Sequence, residues 1–509
     1  MTNAIPRGRF SLRPGLRLIP GEAGGVLLQP APLRLLRVNS AAFALLQRCQ
    51  AGFFLENNAS QPAGQPERSM FAFLDALWQS GLLDWQPALD TCAPAVSIVL
   101  PVYNRAGEIG RCLEALLALN YPGARREIIV VDDGSTDGTP DVVRNCPVRL
   151  LVQPQNLGQS AARNAGVRAA GGDIIAFIDS DCIADRDWLR ELLPYFQDSR
   201  VALVGGYVDS FFRETRLDRF EEVQSPLNMG QGLAFGTTAE SDFYVPTCNV
   251  LIRKEAYLEV GGLDEGLRLG EDVDLCWRLK EKGHRLLYVP RGKVRHKHRN
   301  RLREILARRF DYGTSEAFLF SRHEQVKKRF PWKPTALGVF FLGCLALLTG
   351  FWLLLPLAAL LTATEAWRRQ RQVQMKAGMA LGYLAVLRAI LRDYFATGFY
   401  LTYHLLRYYL LPILIIALIF PAAAPLAAVL ILFPATVEFA RKKPRLSLPL
   451  FLCLYLAEQA CYQAGVFWGC LIWKNFRPYH LLFFRSQRNS GAERGTPNLN
   501  FEETICRNS

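Results

Sequence analysis

Two stretches of this chain, Pro334 to Thr364 and Tyr408 to Val437, each run for about thirty residues without a charged side chain. Backbone inside a bilayer must satisfy its amides internally, so such stretches are confined to helices, and roughly 20 apolar residues are enough to cross as one. Both qualify as membrane segments. Each contains proline, Pro356 in the first and Pro412, Pro421 and Pro425 in the second. Each also has basic residues on both sides, Lys333 with Arg368 and Arg407 with Arg441. Basic flanks stay on the cytoplasmic side, which leaves a bent hairpin or re-entrant element open beside a simple span. Between the two, Leu384 to Leu406 mixes apolar residues with Arg388, Arg392 and Asp393, the pattern of an amphipathic helix lying in the interface. Leu446 to Trp473 reads as a further embedded segment, in which Glu458 needs a partner.

At 509 residues the chain is too long for one compact domain. Much of its net charge of +14 lies in Arg291 to Arg309 and Arg322 to Lys333, just ahead of the first uncharged stretch. A basic collar beside a hydrophobic segment suits anionic lipid headgroups, and nucleic acid is not expected as a partner. The twelve cysteines include no Cys-x-x-Cys pair, which argues against structural zinc or a disulfide framework and for a reducing cytosol. The first segment interleaves arginines with short apolar runs, unlike a signal peptide. Together these features predict a cell-membrane protein whose folded part ahead of the apolar segments lies in the cytoplasm.

The chemistry is concentrated upstream. Phe177-Ile178-Asp179-Ser180-Asp181 is a short apolar run ending in two carboxylates one residue apart. In extended backbone such residues project to one side, so both could reach a hard divalent cation carrying a diphosphate. An isolated Asp-x-Asp is more often a solvated turn. Here it has neighbours. Val96 to Asn104 reads as a buried strand entering a loop, followed by a helical stretch around Leu113 to Leu119. A second strand, Ile128 to Val131, runs into Asp132-Asp133-Gly134-Ser135. Strand, helix and strand make a βαβ unit whose carboxyl-end loops gather ligands, and the strand Ile174 to Ile178 delivers Asp179 and Asp181 to the same edge. Farther on, Gly270-Glu271-Asp272 opens a helix in which Leu275 and Leu279 share one face. A carboxylate pair there also complements the helix dipole.

These residues, in this order, resemble the family 2 glycosyltransferases over residues 95 to 300 or so, and Asn156-Leu157-Gly158 and Ala162-Arg163-Asn164-Ala165-Gly166 add to the likeness. The resemblance implies an α/β GT-A (Rossmann-like) fold and transfer from a nucleotide-sugar with inversion. It implies that Pro101, Tyr103 and Asp133 contact the base, with Asp132 nearby, and that Asp179 and Asp181 approach ribose, diphosphate and Mg²⁺ or Mn²⁺. Asp272, beside Glu271, matches the general base. His296 lies where some members place a third metal ligand, and His298 is an equally available imidazole.

The N-terminal block suggests a hairpin, Leu16 to Pro20 with Val26 to Gln29, a helix beginning near Ala41 capped by Asn39 or Ser40, and an amphipathic helix from Phe71 to Leu83. Pro62, Gly64 and Pro66 mark a loop before that helix. A small stabilising cap is one reading. The pattern also resembles the PqqD-like α+β domains that recognise precursor peptides. Joined to Tyr244-Val245-Pro246, Tyr312-Gly313-Thr314-Ser315 and a hydrophobic tail, it resembles the family of glycosyltransferases of mycofactocin biosynthesis. That implies glucose from UDP-glucose and a modified peptide or peptide-derived acceptor. The expected boundaries are a PqqD-like domain over 1–90, the GT-A domain over 91–330, a membrane-associated helical region over 331–485 and a polar tail over 486–509. Processive polysaccharide synthases are the main enzymatic alternative, but their Gln-x-x-Arg-Trp motif is absent around Arg308-Arg309-Phe310-Asp311-Tyr312. A membrane-tethered, non-catalytic peptide scaffold is a third reading, against which the intact Asp133, Asp179, Asp181 and Asp272 count.

Overall fold

Residues 7–30, 33–55, 65–88, 93–377, 381–484 and 503–504 are described by the structure, a computed structural model. They fall into two units, one of residues 88–328 with 442–480, the other of residues 4–87 with 329–441 and 481–509.

The N-terminal residues form β1 (Gly8–Leu12), β2 (Arg17–Gly21), β3 (Gly24–Pro30), β4 (Leu33–Asn39), α1 (Ser40–Ala51), β5 (Phe53–Leu55), α2 (Gln65–Gln79) and β6 (Leu83–Pro87). The expected hairpin is present, closing at the Gly21–Gly24 pair. Asn39 caps α1, its Oδ1 accepting from the Ala42 amide at 2.9 Å. Pro66 lies in the first turn of α2, while Pro62 and Gly64 are outside the described residues.

The next segment carries β7 (Val96–Val102), α3 (Ile109–Leu117), β8 (Arg126–Asp132), α4 (Thr139–Arg144), β9 (Arg149–Val152), α5 (Gln159–Ala169) and β10 (Ile174–Ile178). Then come β11 (Cys182–Ala184), α6 (Trp188–Leu192), β12 (Val201–Gly205), β13 (Val208–Ser210), α7 (Arg216–Gln224), β14 (Ala234–Gly236) and β15 (Asn249–Arg253). The segment closes with α8 (Lys254–Glu259), α9 (Glu271–Glu281), β16 (Arg285–Tyr288), β17 (Val294–His296) and α10 (Leu302–Arg322). Eight strands form one sheet in the order β14-β16-β12-β15-β10-β7-β8-β9, and β11-β17-β13 form a small second sheet. Strands β10, β7, β8 and β9 are mutually parallel, as the βαβ reading requires, whereas β15 runs antiparallel between β10 and β12. Val99, Val131, Ile175 and Phe177 are fully buried. Strands covered on both faces need apolar residues at successive positions, which is why their runs are continuous.

The uncharged stretches do not form two single helices. The first is divided into α11 (Pro334–Thr349) and α12 (Leu354–Ala377), with Gly350 in the left-handed region at φ 72° ending α11. At 1.5 Å per residue, α11 spans only about 24 Å. The second stretch is shared between α13 (Tyr383–Ile419) and α14 (Ala424–Lys442). Pro412 lacks the amide that would bond the carbonyl four residues back, and α13 kinks at Tyr409 (φ −131°, ψ 16°). Leu384 to Leu406 is therefore not a separate interfacial helix but the first part of α13. Its apolar Val386, Ala389 and Ile390 pack with Val26, Leu28, Leu33 and Leu35 of the N-terminal sheet and with Ala366 and Val373 of α12. The amphipathic pattern reflects a protein partner. Helices long and apolar enough to cross a membrane are Tyr383–Ile419, Pro421–Lys442 and Leu448–Trp473.

The last of these, α15 (Leu448–Trp473), belongs to the unit of residues 88–328 and lies along α10. The approach is backbone to backbone: a Cβ at Gly313 would overlap the Tyr462 carbonyl, one at Gly465 the Phe310 carbonyl, and one at Gly469 the Thr314 carbonyl. Glu458 finds its partner here, accepting from Arg309 Nε at 2.9 Å, while Arg309 Nη2 donates to Glu221 on α7 at 2.7 Å. Gly465→Ala is expected to force α10 and α15 apart, costing about 1–3 kcal/mol. Gly338→Ala on α11, with nothing within 4 Å of its Cβ, should change little. Thermal melts of the two variants in detergent compare them directly, and equal melting temperatures would contradict the close-packing account.

Candidate active site

The carboxyl ends of β7 and β8 are tied to each other. Past the buried Pro101, Tyr103 is exposed, and Asn104 adopts a left-handed conformation at φ 51°. The Asn104 amide donates to Ser135 Oγ at 2.9 Å, and Asn104 Oδ1 accepts from the Thr136 amide at 2.8 Å. Asp132 is buried, with Oδ2 accepting from the Ser135 amide at 3.1 Å and Oδ1 left without a partner among the described residues. Asp133 accepts from the Leu157 amide at 2.8 Å and the Gly158 amide at 2.9 Å, one bond to each oxygen, and so holds the loop that opens α5.

Asp179 and Asp181 have different protein partners. Strand β10 ends at Ile178, and the turn that follows, closed by the Cys182 amide donating to the Asp179 carbonyl at 3.0 Å, breaks the extended geometry that would put both carboxylates on one side. Asp179 Oδ1 accepts from Nη2 of Arg163 at 2.5 Å. Arg163, on α5, is 1% exposed and lies 3.8 Å from Glu271 Oε1. Glu271 also accepts from Gln159 Nε2 at 2.6 Å. One buried guanidinium thus links α5, the end of β10 and the start of α9.

Asp181 turns toward the small sheet. Its Oδ1 is 3.5 Å from His296 Nε2, and Asp181, Cys182 and His296 each bring one potential ligand atom within 4.8 Å of the others. Burial raises the Cys182 thiol well above its ordinary pKa, and carboxylate and imidazole are the donors that suit a hard divalent cation. His298, with its ring 4.9 Å from that of His296, is pushed down to about 3 by burial and stays neutral. Between the two imidazoles, His296 is the one beside Asp181.

Gly270, at φ 76°, turns the chain into α9 and sets Glu271 and Asp272 in its first turn. Asp272 keeps part of its surface open, and Oδ1 accepts from the Val273 amide at 2.8 Å. Burial raises its pKa, opposed by that hydrogen bond and by the charge of Arg163. Glu271 is raised as well, by burial and then by its acidic neighbour. Arg163 and Gln159 had no role in the sequence reading. The available signal was a charged residue inside the otherwise small and polar run Ala162-Arg163-Asn164-Ala165-Gly166, which needs carboxylate partners once α5 is buried.

A half-parallel sheet with acids at its carboxyl edge and a helix N-terminus carrying two more carboxylates is the arrangement of a GT-A-like glycosyltransferase domain, the class that the family match gives. Residues 97–261 match glycosyl transferase family 2. The chain is 37% identical over 304 residues to a pre-mycofactocin glycosyltransferase of Mycobacterium tuberculosis, covering 59% of this chain and 61% of that protein, so it spans less than two thirds of that relative. It is 31% identical over 253 residues to the succinoglycan biosynthesis protein ExoO of Rhizobium meliloti, covering 46% of this chain and 70% of that protein. Among solved structures, the mannosyltransferase PcManGT from Pyrobaculum calidifontis in complex with GDP-Man and Mn2+ aligns at 21% identity and a TM-score of 0.39, covering 64% of this chain and 95% of that one. The chain belongs to glycosyl transferase family 2.

Replacing Arg163 by methionine strands Asp179 and Glu271 without their counter-charge, a loss expected to cost about 3–5 kcal/mol. Arg163→Met should melt well below the parent, and adding Glu271→Gln should recover part of the difference. A single variant that melts with the parent would show that the guanidinium does not hold these elements together.

Proposed function

We propose that the protein transfers a hexose, glucose from UDP-glucose, onto the peptide-derived cofactor mycofactocin or its precursor, inverting the anomeric carbon. The observation that carries the proposal is how the acids at the catalytic edge are divided. Asp133 serves the 157–158 amides, Asp179 serves Arg163, and Glu271 serves Gln159 and Arg163. Among the described residues, Asp181 and Asp272 are ion-paired to no arginine or lysine, while Asp179, 28% exposed, meets Arg163 through one oxygen only.

Asp181 and His296 fit a divalent cation: one carboxylate and one imidazole suit Mn²⁺ or Mg²⁺, with the imidazole favouring Mn²⁺. When bound there, the cation supplies Lewis-acid stabilisation of the charge on the departing diphosphate. Tyr103, Pro101 and the Asp132–Asp133 loop would receive the nucleotide base. Asp272 would accept the proton of the attacking acceptor hydroxyl, a role typically worth about 10²- to 10⁴-fold. Asp179 and Glu271 act through Arg163, which fixes the end of β10 relative to α9.

For the acceptor, the support is the 37% identity to the Mycobacterium tuberculosis protein named for pre-mycofactocin glycosylation, together with an N-terminal region, residues 1–90, read as a PqqD-like peptide-recognition domain. Residues 91–330 would be the catalytic domain, held at the cytoplasmic face of the membrane by the helices beyond. A second reading, a lipid or polysaccharide acceptor, is favoured by α15: an apolar helix long enough to cross a bilayer packs directly on α10 of the catalytic unit.

Detergent-purified protein, Mn²⁺ and UDP-glucose incubated with a mycofactocin precursor should add a hexose mass. Asp272→Asn should lose the increment while still binding donor, and loss of donor binding would remove Asp272 from the role of base. No increment with any peptide acceptor, but one on lipid or oligosaccharide, would select the second reading. Since burial raises the Asp272 pKa, transfer should fall on acidification at a pH above the ordinary Asp value of about 3.9. A kcat/KM profile flat down to that value would contradict this.

A further inference from the structure

Arg308 lies on α10, next to the ion-paired Arg309. Arg308 and Tyr312, four residues apart, share one face of α10, and the guanidinium lies over the Tyr312 ring at 4.9 Å from its centroid. Its Nε is buried without a hydrogen-bond partner among the described residues. The neighbouring Arg309 is different, since Glu221 and Glu458 both accept from it. Arg308 lines a small cavity with His296, Tyr312, Arg299, Arg309 and Glu221, the last already accepting from Arg309, so it borders the space beside the imidazole of the cation site. Its charge is also felt at Asp272. A partly buried guanidinium with an unused N–H is costly unless an anion completes it.

We propose that Arg308 is a catalytic residue that binds the β-phosphate of the departing nucleoside diphosphate, with Tyr312 holding the guanidinium plane. The inference rests on the glycosyl-transfer reading above but not on the identity of the acceptor. In the step concerned, the acceptor oxygen supplies the electron pair that forms the new bond to the anomeric carbon, and its proton passes to Asp272. The bond from that carbon to the β-phosphate oxygen breaks with its pair remaining on oxygen. The added negative charge on the diphosphate is what Arg308 meets with a charge-assisted hydrogen bond, one that strengthens as the bond breaks.

The test needs no acceptor and no turnover. UDP and UMP binding are measured by calorimetry with Mn²⁺ on the full-length parent, Arg308→Met and Arg308→Lys, all in detergent. UMP lacks the β-phosphate. The expected result is that Arg308→Met weakens UDP about tenfold or more, leaves UMP unchanged, and is partly rescued by Arg308→Lys. Arg308→Gln gives the same comparison if the Met variant loses its melting transition. An unchanged preference for UDP over UMP, or equal weakening of both, would overturn the proposal. A parent that binds neither nucleotide, nor GDP and GMP in their place, would overturn the donor reading and this inference together, whereas failure to find an acceptor would leave it standing.

Discussion

The buried ion pair of Arg163 is the constraint around which the catalytic edge is arranged. A guanidinium with 1% of its side chain exposed is tolerated only if carboxylates neutralise it, and here they come from two different elements, Asp179 after β10 and Glu271 at the start of α9. The pairing therefore ties α5 to the end of β10 and to the start of α9. It also decides which acids remain available. With Asp179 and Glu271 committed, Asp181 is left beside His296, and Asp272 keeps an open surface.

A second buried charge does similar work where α10 meets α15 and α7. Glu458 lies in the middle of an otherwise apolar helix, where an unpaired carboxylate is prohibitively expensive. Arg309 bridges it to Glu221. The bridge is short because glycines at 313, 465 and 469 let α10 and α15 approach until backbone meets backbone. Close packing and ion pairing are mutually dependent: without the glycines, Arg309 could not reach both carboxylates, and without Arg309 the approach would bury a bare charge.

In the other unit, the helices of the C-terminal third give one face to protein. The N-terminal sheet contributes Val26, Leu28, Leu33 and Leu35 to a core shared with α12 and α13. An amphipathic stripe such as that of Leu384 to Leu406 reports only that one face is apolar. Whether lipid or a β-sheet covers it depends on residues more than three hundred positions away, which no local pattern encodes.

Much of the catalytic domain was legible in the sequence because its signals are local. Continuous apolar runs specified β7, β8 and β10, their polar termini located the ligand edge, and the Gly270-Glu271-Asp272 step announced α9. Asn39 as a cap and the Gly21–Gly24 hairpin were visible for the same reason, since capping and turn chemistry act within a few residues. The uncharged stretches marked apolar helices but not their breaks, because Gly350 and the Phe420–Pro421 junction take effect through backbone geometry that charge counting does not see. Nor could spacing say that Arg163 would pair with Asp179, or that Glu458 would meet Arg309 across 149 residues. The sequence by itself determined which strands and helices form and which acids arrive at one edge. Only the tertiary structure decided which charges pair, because burial makes each choice of partner depend on every group brought into the same low-dielectric space.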